Sequence, residues 1–176
     1  MRVKALALSF ALTLACSAAA IAAEPPSATP HLRPLNAAGA ALMADAQQKS
    51  ATIRDLAAQL EGSNVVAYIY PTARQVGETE SDFRYVGTSK SQRFVLIKIG
   101  ADRSADRQIE LLGHELEHAV EVARATWVND SSDLDRFLSL VGSRTFEPGG
   151  HPFETPAAMK AERTVRKELP TAIGTR

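Results

Sequence analysis

The chain has 176 residues, with 20 basic and 20 acidic side chains, four histidines, a single cysteine and 45% hydrophobic residues. Balanced charge, sparse aromatics and no basic stripe argue against a nucleic-acid surface. After the leader, no segment approaches the run of about 18 apolar residues that a membrane span requires, so a single folded domain of roughly 150 residues is expected once the leader is removed.

Residues 1–23 read as an export signal. "MRVK" is the basic start, "ALALSFALTLA" the apolar stretch, and "AAIAAE" offers small residues for cleavage after Ala22 or Ala23. The expected location is therefore periplasmic or secreted. The only cysteine, Cys16, lies inside this leader. Acylation at Cys16 is the lesser alternative, because Thr13 stands where lipoprotein signals usually carry leucine. Ordinary cleavage discards the thiol and leaves a fold without disulfides. Loss of Arg2 and Lys4 reduces the 20 basic residues to eighteen, a formal charge of −2.

Residues 24–35, which include "EPPSATPHLRP", read as a proline-rich extended linker, and residues 36–176 as one domain. Asn36 can cap a helix over "AAGAALMADAQQ". Ser50 either continues it or starts a second helix with Ile53, Leu56, Ala57 and Leu60 on one face and Gly62 as its stop. The period then changes. "NVVAYIYP", "FRYVG" and "RFVLIKIG" read as three short strands, the last two joined by the turn "TSKS", and a three-stranded antiparallel meander is expected. Lys98 in the last strand suggests an edge. From Ser104, a cap, a helix runs to about Trp127; "SSDLDRFLSLVG" gives another with a serine cap. "SRTFEPGGHPFE" reads as a loop, and Thr155 and Pro156 open a final helix. The expected fold class is α+β: helices, a small sheet, then helices.

The stretch "IELLGHELEHAVEVA" contains His114-Glu115-Leu116-Glu117-His118. Residues four apart project one turn apart on the same side of a helix, so both imidazoles can reach one ion. Glu115, rotated by about 100°, can lean over the open position and act as general base. On a helical wheel Ile109, Leu112, Leu116, Ala119, Val120 and Ala123 form a packing stripe. His114, His118, Glu121 and Ala125 lie nearly opposite, flanked by Leu111 and Val122, and Glu110, Glu117 and Arg124 form the broad polar sector. A helix with two sides turned from solvent, one of them polar, fits a metal site.

This stretch resembles the active-site helix of zincin metallopeptidases, and the preceding "RFVLIKIG" resembles the edge strand with which their extended peptide substrates pair. "GHELEHAVEVA" followed by "FET" before an Ala-rich helix also resembles small exported bacterial proteins of unassigned activity. The resemblance implies bound Zn2+, a zincin-like domain and a peptide or protein substrate. The metzincin continuation is absent, since Glu121 and Arg124 stand where that class needs glycine and histidine. The gluzincin pattern instead takes a glutamate from a later helix, for which Glu147, Glu154 and Glu162 are the candidates. Glu154, at the start of the final helix and near His151, is preferred.

Glu121 reads as an orienting partner of His118, with direct ligation as its alternative. His151 can serve as a ligand or transition-state donor, and reads first as a polar loop residue. Arg144 can bind an oxyanion or lie solvated, and Trp127 reads as core. Three functional readings follow: an exported zinc hydrolase, most simply a peptidase; a non-catalytic cell-envelope binding protein with a structural or vestigial metal site; or a metal-free α+β interaction module of the cell envelope.

Overall fold

The computed structural model of the chain describes residues 30–73, 79–144 and 153–170. The expected leader, including Cys16, lies outside the described residues. So do the first half of the expected tether, Glu147 and His151. The fold is α+β, with five helices, a four-stranded mixed sheet and a two-stranded ladder among the described residues.

The last part of the proline-rich stretch is strand, not tether. β1 (Leu32–Pro34) pairs parallel with β2 (Val65–Thr72), Leu32 opposite Ala67 and Pro34 opposite Ile69. A proline is tolerated here because β1 is an edge strand and needs no ladder donor on its open side. Flanking bonds from Ala67 N–H to the His31 carbonyl (2.8 Å) and from Leu35 N–H to the Ile69 carbonyl (2.9 Å) fix it.

Two helices follow. α1 (Ala37–Lys49) starts at Asn36, whose Oδ1 accepts from Gly39 N–H at 2.7 Å. α2 (Ala51–Glu61) starts at Ser50 and ends at Gly62. Ser50 serves both: its N–H donates to Ala46 O, closing α1, and its Oγ accepts from Ile53 N–H, opening α2. Its backbone is extended, with φ −124° and ψ 123°, so the helices are separate.

β3 (Ser81–Ser89) and β4 (Gln92–Gly100) form an antiparallel hairpin with a bulge between Tyr85 and Gly87. Lys90 in its turn has φ 56°, the left-handed conformation that a tight turn demands. The meander expected from the sequence is not found. β4 inserts between β2 and β3 and runs parallel to β2, giving the order β1-β2-β4-β3. The nearly unbroken apolar run "FVLIKI" is what an interior strand requires. Lys98 does not mark an edge: it sits opposite Asp82 of β3 on an interior strand. The antiparallel edge is β3.

α3 (Ala105–Arg124) packs on the sheet face formed by Val95, Ile97 and Ile99. Ser104 caps it, accepting from Arg107 N–H. It stops at Arg124, before Trp127, because the buried Arg93 guanidinium gathers the carbonyls at its end. α4 (Ser131–Val141) is capped by Asp130 in place of the expected serine, Oδ1 accepting from Asp133 N–H at 2.8 Å. The expected loop is bounded by β5 (Ser143–Arg144) and β6 (Phe153–Glu154), which pair antiparallel. α5 (Pro156–Glu168), capped by Thr155, lies on α3 and α2 as an outer layer. Ile53, Leu60, Ile109, Leu112, Leu116 and Val165 make the core between them.

Candidate metal centre

α3 is enclosed on nearly every side. Ile109, Leu112, Leu116, Ala119 and Val120 are buried as the helical wheel requires, and so are Leu111 and Val122, which flank the histidines. The polar sector is narrower than expected. Arg124 is exposed and pairs with Glu117 at 3.2 Å, but Glu110 is buried, held by Arg107 and Arg166 at 2.9 Å each. Two guanidiniums supply the solvation that water gives a surface carboxylate, and they hold Glu110 below its ordinary pKa against the opposing effect of burial.

His114, Glu115 and His118 are all buried, and their ligand atoms lie within 4.8 Å of one another. The group can hold a metal ion. Each ring has its Nδ1 facing a carboxylate: His114 Nδ1 lies 3.2 Å from Glu162 Oε2, and His118 Nδ1 lies 2.9 Å from Glu121 Oε2. Both Nε2 atoms turn to Glu154, whose Oε2 is 2.7 Å from that of His114 and 3.6 Å from that of His118. This Oε2 is buried and receives no well-aligned hydrogen bond among the described residues.

That convergence is a test of fit. With Nδ1–H donating to Glu162 and Glu121, each neutral ring presents its Nε2 lone pair. Two lone pairs then meet a carboxylate oxygen, which is repulsive unless a cation lies between them. Bonds of about 2.0–2.1 Å in tetrahedral array place ligand atoms roughly 3.3 Å apart. The observed 3.6 Å is close to that separation, whereas 2.7 Å is the length of a charged hydrogen bond, so an ion would require Glu154 to draw back slightly from His114.

Protons can fill the same role. Burial lowers the pKa of both rings, but the carboxylates outweigh it: Glu154 and Glu162 raise His114 to about 10, and Glu121 and Glu154 raise His118 to about 9. Burial pushes Glu154 up, yet the two imidazoles bring it down to about 2. His114 is the main influence on Glu162, which also falls to about 2. The pocket therefore favours positive charge at the point where both Nε2 and Glu154 meet.

Glu154 arrives there on β6, immediately before the α5 cap. Gly142 ends α4 beside it; a methyl on Gly142 would stand 3.1 Å from the Glu154 carbonyl oxygen and 2.7 Å from that of Leu138. The glycine thus allows the strand carrying Glu154 to close against the end of α4.

Glu162, a candidate ligand by sequence, is on the Nδ1 side of His114. Its other oxygen is bound by Arg107 and, at 2.9 Å, by Arg166. Arg107 also reaches Glu80 at 2.6 Å. Arg107 and the start of β3 were missed by sequence reading. For Arg107 a signal existed, since it lies seven residues before His114 and so on the same side of α3. β3 offered none, because its position beside α3 depends on pairing with β4. Arg144 is exposed on β5. Trp127 is not core: it is 43% exposed, packed edge-on against Phe137 and covered by Arg136.

A cavity of about 410 Å3 opens over the cluster. Phe83, Leu111 and Met159 form its apolar wall, and Glu80, Asp82 and Arg107 its polar one. Comparison with protein-family models, with curated proteins and with solved structures finds no match.

Proposed function

We propose that this protein is an exported zinc-dependent hydrolase, most simply a peptidase of the gluzincin kind, in which His114, His118 and Glu154 hold the ion and Glu115 is the general base. One observation carries this reading: both Nε2 atoms converge on a buried Glu154 oxygen, while Glu162 and Glu121 occupy both Nδ1 atoms. Two imidazoles and a carboxylate form a donor set suited to zinc. The signal-like residues 1–23 support export.

A bound zinc ion supplies Lewis acidity, polarising a carbonyl and lowering the pKa of water. Glu162 and Glu121 keep Nδ1 protonated and the rings oriented, leaving Nε2 for ligation. Glu115, next to His114 and with a carboxylate oxygen within 4.8 Å of a ring nitrogen of each histidine, would take the proton from the attacking water and pass it to the leaving nitrogen. Phe83 and Leu111 limit water at the cleft wall. A peptide class is supported by the place of β3 at the end of the sheet order among the described residues, with its first residues bordering the cavity, since sheet-end strands are where extended peptides commonly dock.

The test is hydrolysis of an unfolded protein by the purified mature chain, with bound zinc measured in parallel. Glu115→Gln should retain stoichiometric zinc and lose at least about 100-fold in kcat, the usual scale of a general base. Full activity in that variant would refute the mechanism. Bound zinc without hydrolysis of any peptide would favour the non-catalytic reading.

A further inference from the structure

Gly113, the residue before the first histidine, is buried in the interior of α3. Its φ is not in the left-handed region, so backbone freedom does not explain it. A glycine inside a helix costs about 1 kcal/mol relative to alanine. Space does explain it. A Cβ on Gly113 would lie 2.6 Å from Val165 Cγ2 and 3.4 Å from Ile53 Cδ1.

Val165 cannot easily turn away. It is fully buried on α5, and a β-branched side chain in a helix is restricted in χ1. α5 presents Ala158, Ala161 and Val165 inward, two of them small, so the two helices approach closely across this face. α3 is backed by the sheet and α2, whereas α5 lies outermost, so an inserted methyl displaces α5. Restoring an ordinary contact of 3.4 Å from 2.6 Å takes roughly 0.8 Å. Glu154 immediately precedes this helix and Glu162 lies within it, and both reach His114. Metal sites tolerate about 0.2 Å in ligand distance.

We infer that Gly113 is a positioning residue for the metal centre: by leaving α5 room to close on α3, it sets the distance of Glu154 and Glu162 from His114. This rests on the proposal that the site holds zinc.

The experiment is a zinc titration of the purified mature protein against a competing chelator, with thermal unfolding of the metal-free form as the control. Gly113→Ala should weaken zinc binding about 10- to 100-fold, the scale seen when ligand-orienting groups are disturbed, while the metal-free protein still unfolds cooperatively. The double variant Gly113→Ala/Val165→Ala, which removes the clashing methyls, should return to within about threefold of Val165→Ala alone. Wild-type affinity in Gly113→Ala, or no recovery in the double variant, overturns the inference and leaves the zinc site standing. Absence of zinc from the wild-type protein overturns the zinc site first and this role with it. Should Gly113→Ala not fold, Val165→Ile crowds the same contact from α5, with the same two decisive outcomes.

Discussion

Arg93 is the most constrained polar side chain away from the candidate site. It is 2% exposed and has no carboxylate partner among the described residues. Its Nη1 donates to the carbonyls of Val122, Ala125 and Val128 at 2.8–3.1 Å, and its Nη2 to Ala123 O and Asn64 Oδ1. These carbonyls end α3, where the helix dipole is negative, so the guanidinium is both cap and counter-charge. Burial lowers its pKa, though a guanidinium stays charged at any physiological pH. Arg93→Ala should cost about 3–5 kcal/mol, because several carbonyls around the end of α3 lose a buried charged donor together. Arg93→Lys should recover little, since an ammonium cannot reproduce the planar fork. Urea unfolding measures both, and a loss below about 1 kcal/mol would show that water replaces the guanidinium.

The same logic applies to the carboxylates behind the histidines. Glu162→Gln removes the charge facing His114 Nδ1 and frees Arg107 and Arg166 from a shared partner. Zinc affinity should fall about 10- to 100-fold, with Glu115 and the ligands untouched. An unchanged dissociation constant would mean that Glu162 has no part in orienting the ring.

Among the elements, the break between α1 and α2 depends on a distant one. Glu168, at the end of α5, accepts from Ser50 Oγ, from Thr52 N–H at 3.1 Å and from Thr52 Oγ1 at 2.8 Å. A carboxylate at the N-terminus of α2 also opposes its dipole charge favourably. Burial raises the pKa of Glu168, but these bonds outweigh it and the net shift is downward. The folded state therefore binds this proton less readily than the unfolded chain. The stabilisation is fully present above the ordinary glutamate value of 4.5 and is lost as pH falls through and below it. Glu168→Gln should flatten the acid limb of the stability curve between about pH 5 and pH 3, measured as the urea midpoint against pH. Equal slopes in both proteins would remove Glu168 from the acid transition.

For the whole molecule, ligand linkage joins the centre to stability. His114 and His118 lie on the central helix and Glu154 on β6, immediately before the cap of α5, so an ion held by these three would tie β6 and the start of α5 to α3. A ligand at 100 times its dissociation constant stabilises the state that binds it by about 2.7 kcal/mol. For a domain near 150 residues that corresponds to a rise in Tm of about 5–11 °C. Zinc should produce this shift in the wild-type protein and none in His118→Ala. A shift that survives the substitution would place the ion elsewhere.

Local chemistry was legible in the sequence where neighbours along the chain decide it. The caps at Asn36, Ser104 and Thr155, the stops at Gly62 and Gly142, the burial of the Ile109 and Leu112 stripe, and the pairing of Glu121 with His118 each involve residues one or two turns apart. Periodicity and hydrogen-bond chemistry fix such features without knowledge of the rest of the fold. Strand order was not of that kind. "NVVAYIYP" and "RFVLIKIG" read as strands from composition alone, and the nearly unbroken apolar run of β4 is compatible with an interior place, yet which strands flank it and in which direction depends on the ladders it meets in the folded chain. Likewise two histidines on one side of a helix follow from their spacing of four. Which glutamate meets Nε2 and which Nδ1 depends on how closely α5 packs on α3, a distance set by Gly113 and Val165, fifty-two positions apart in the chain.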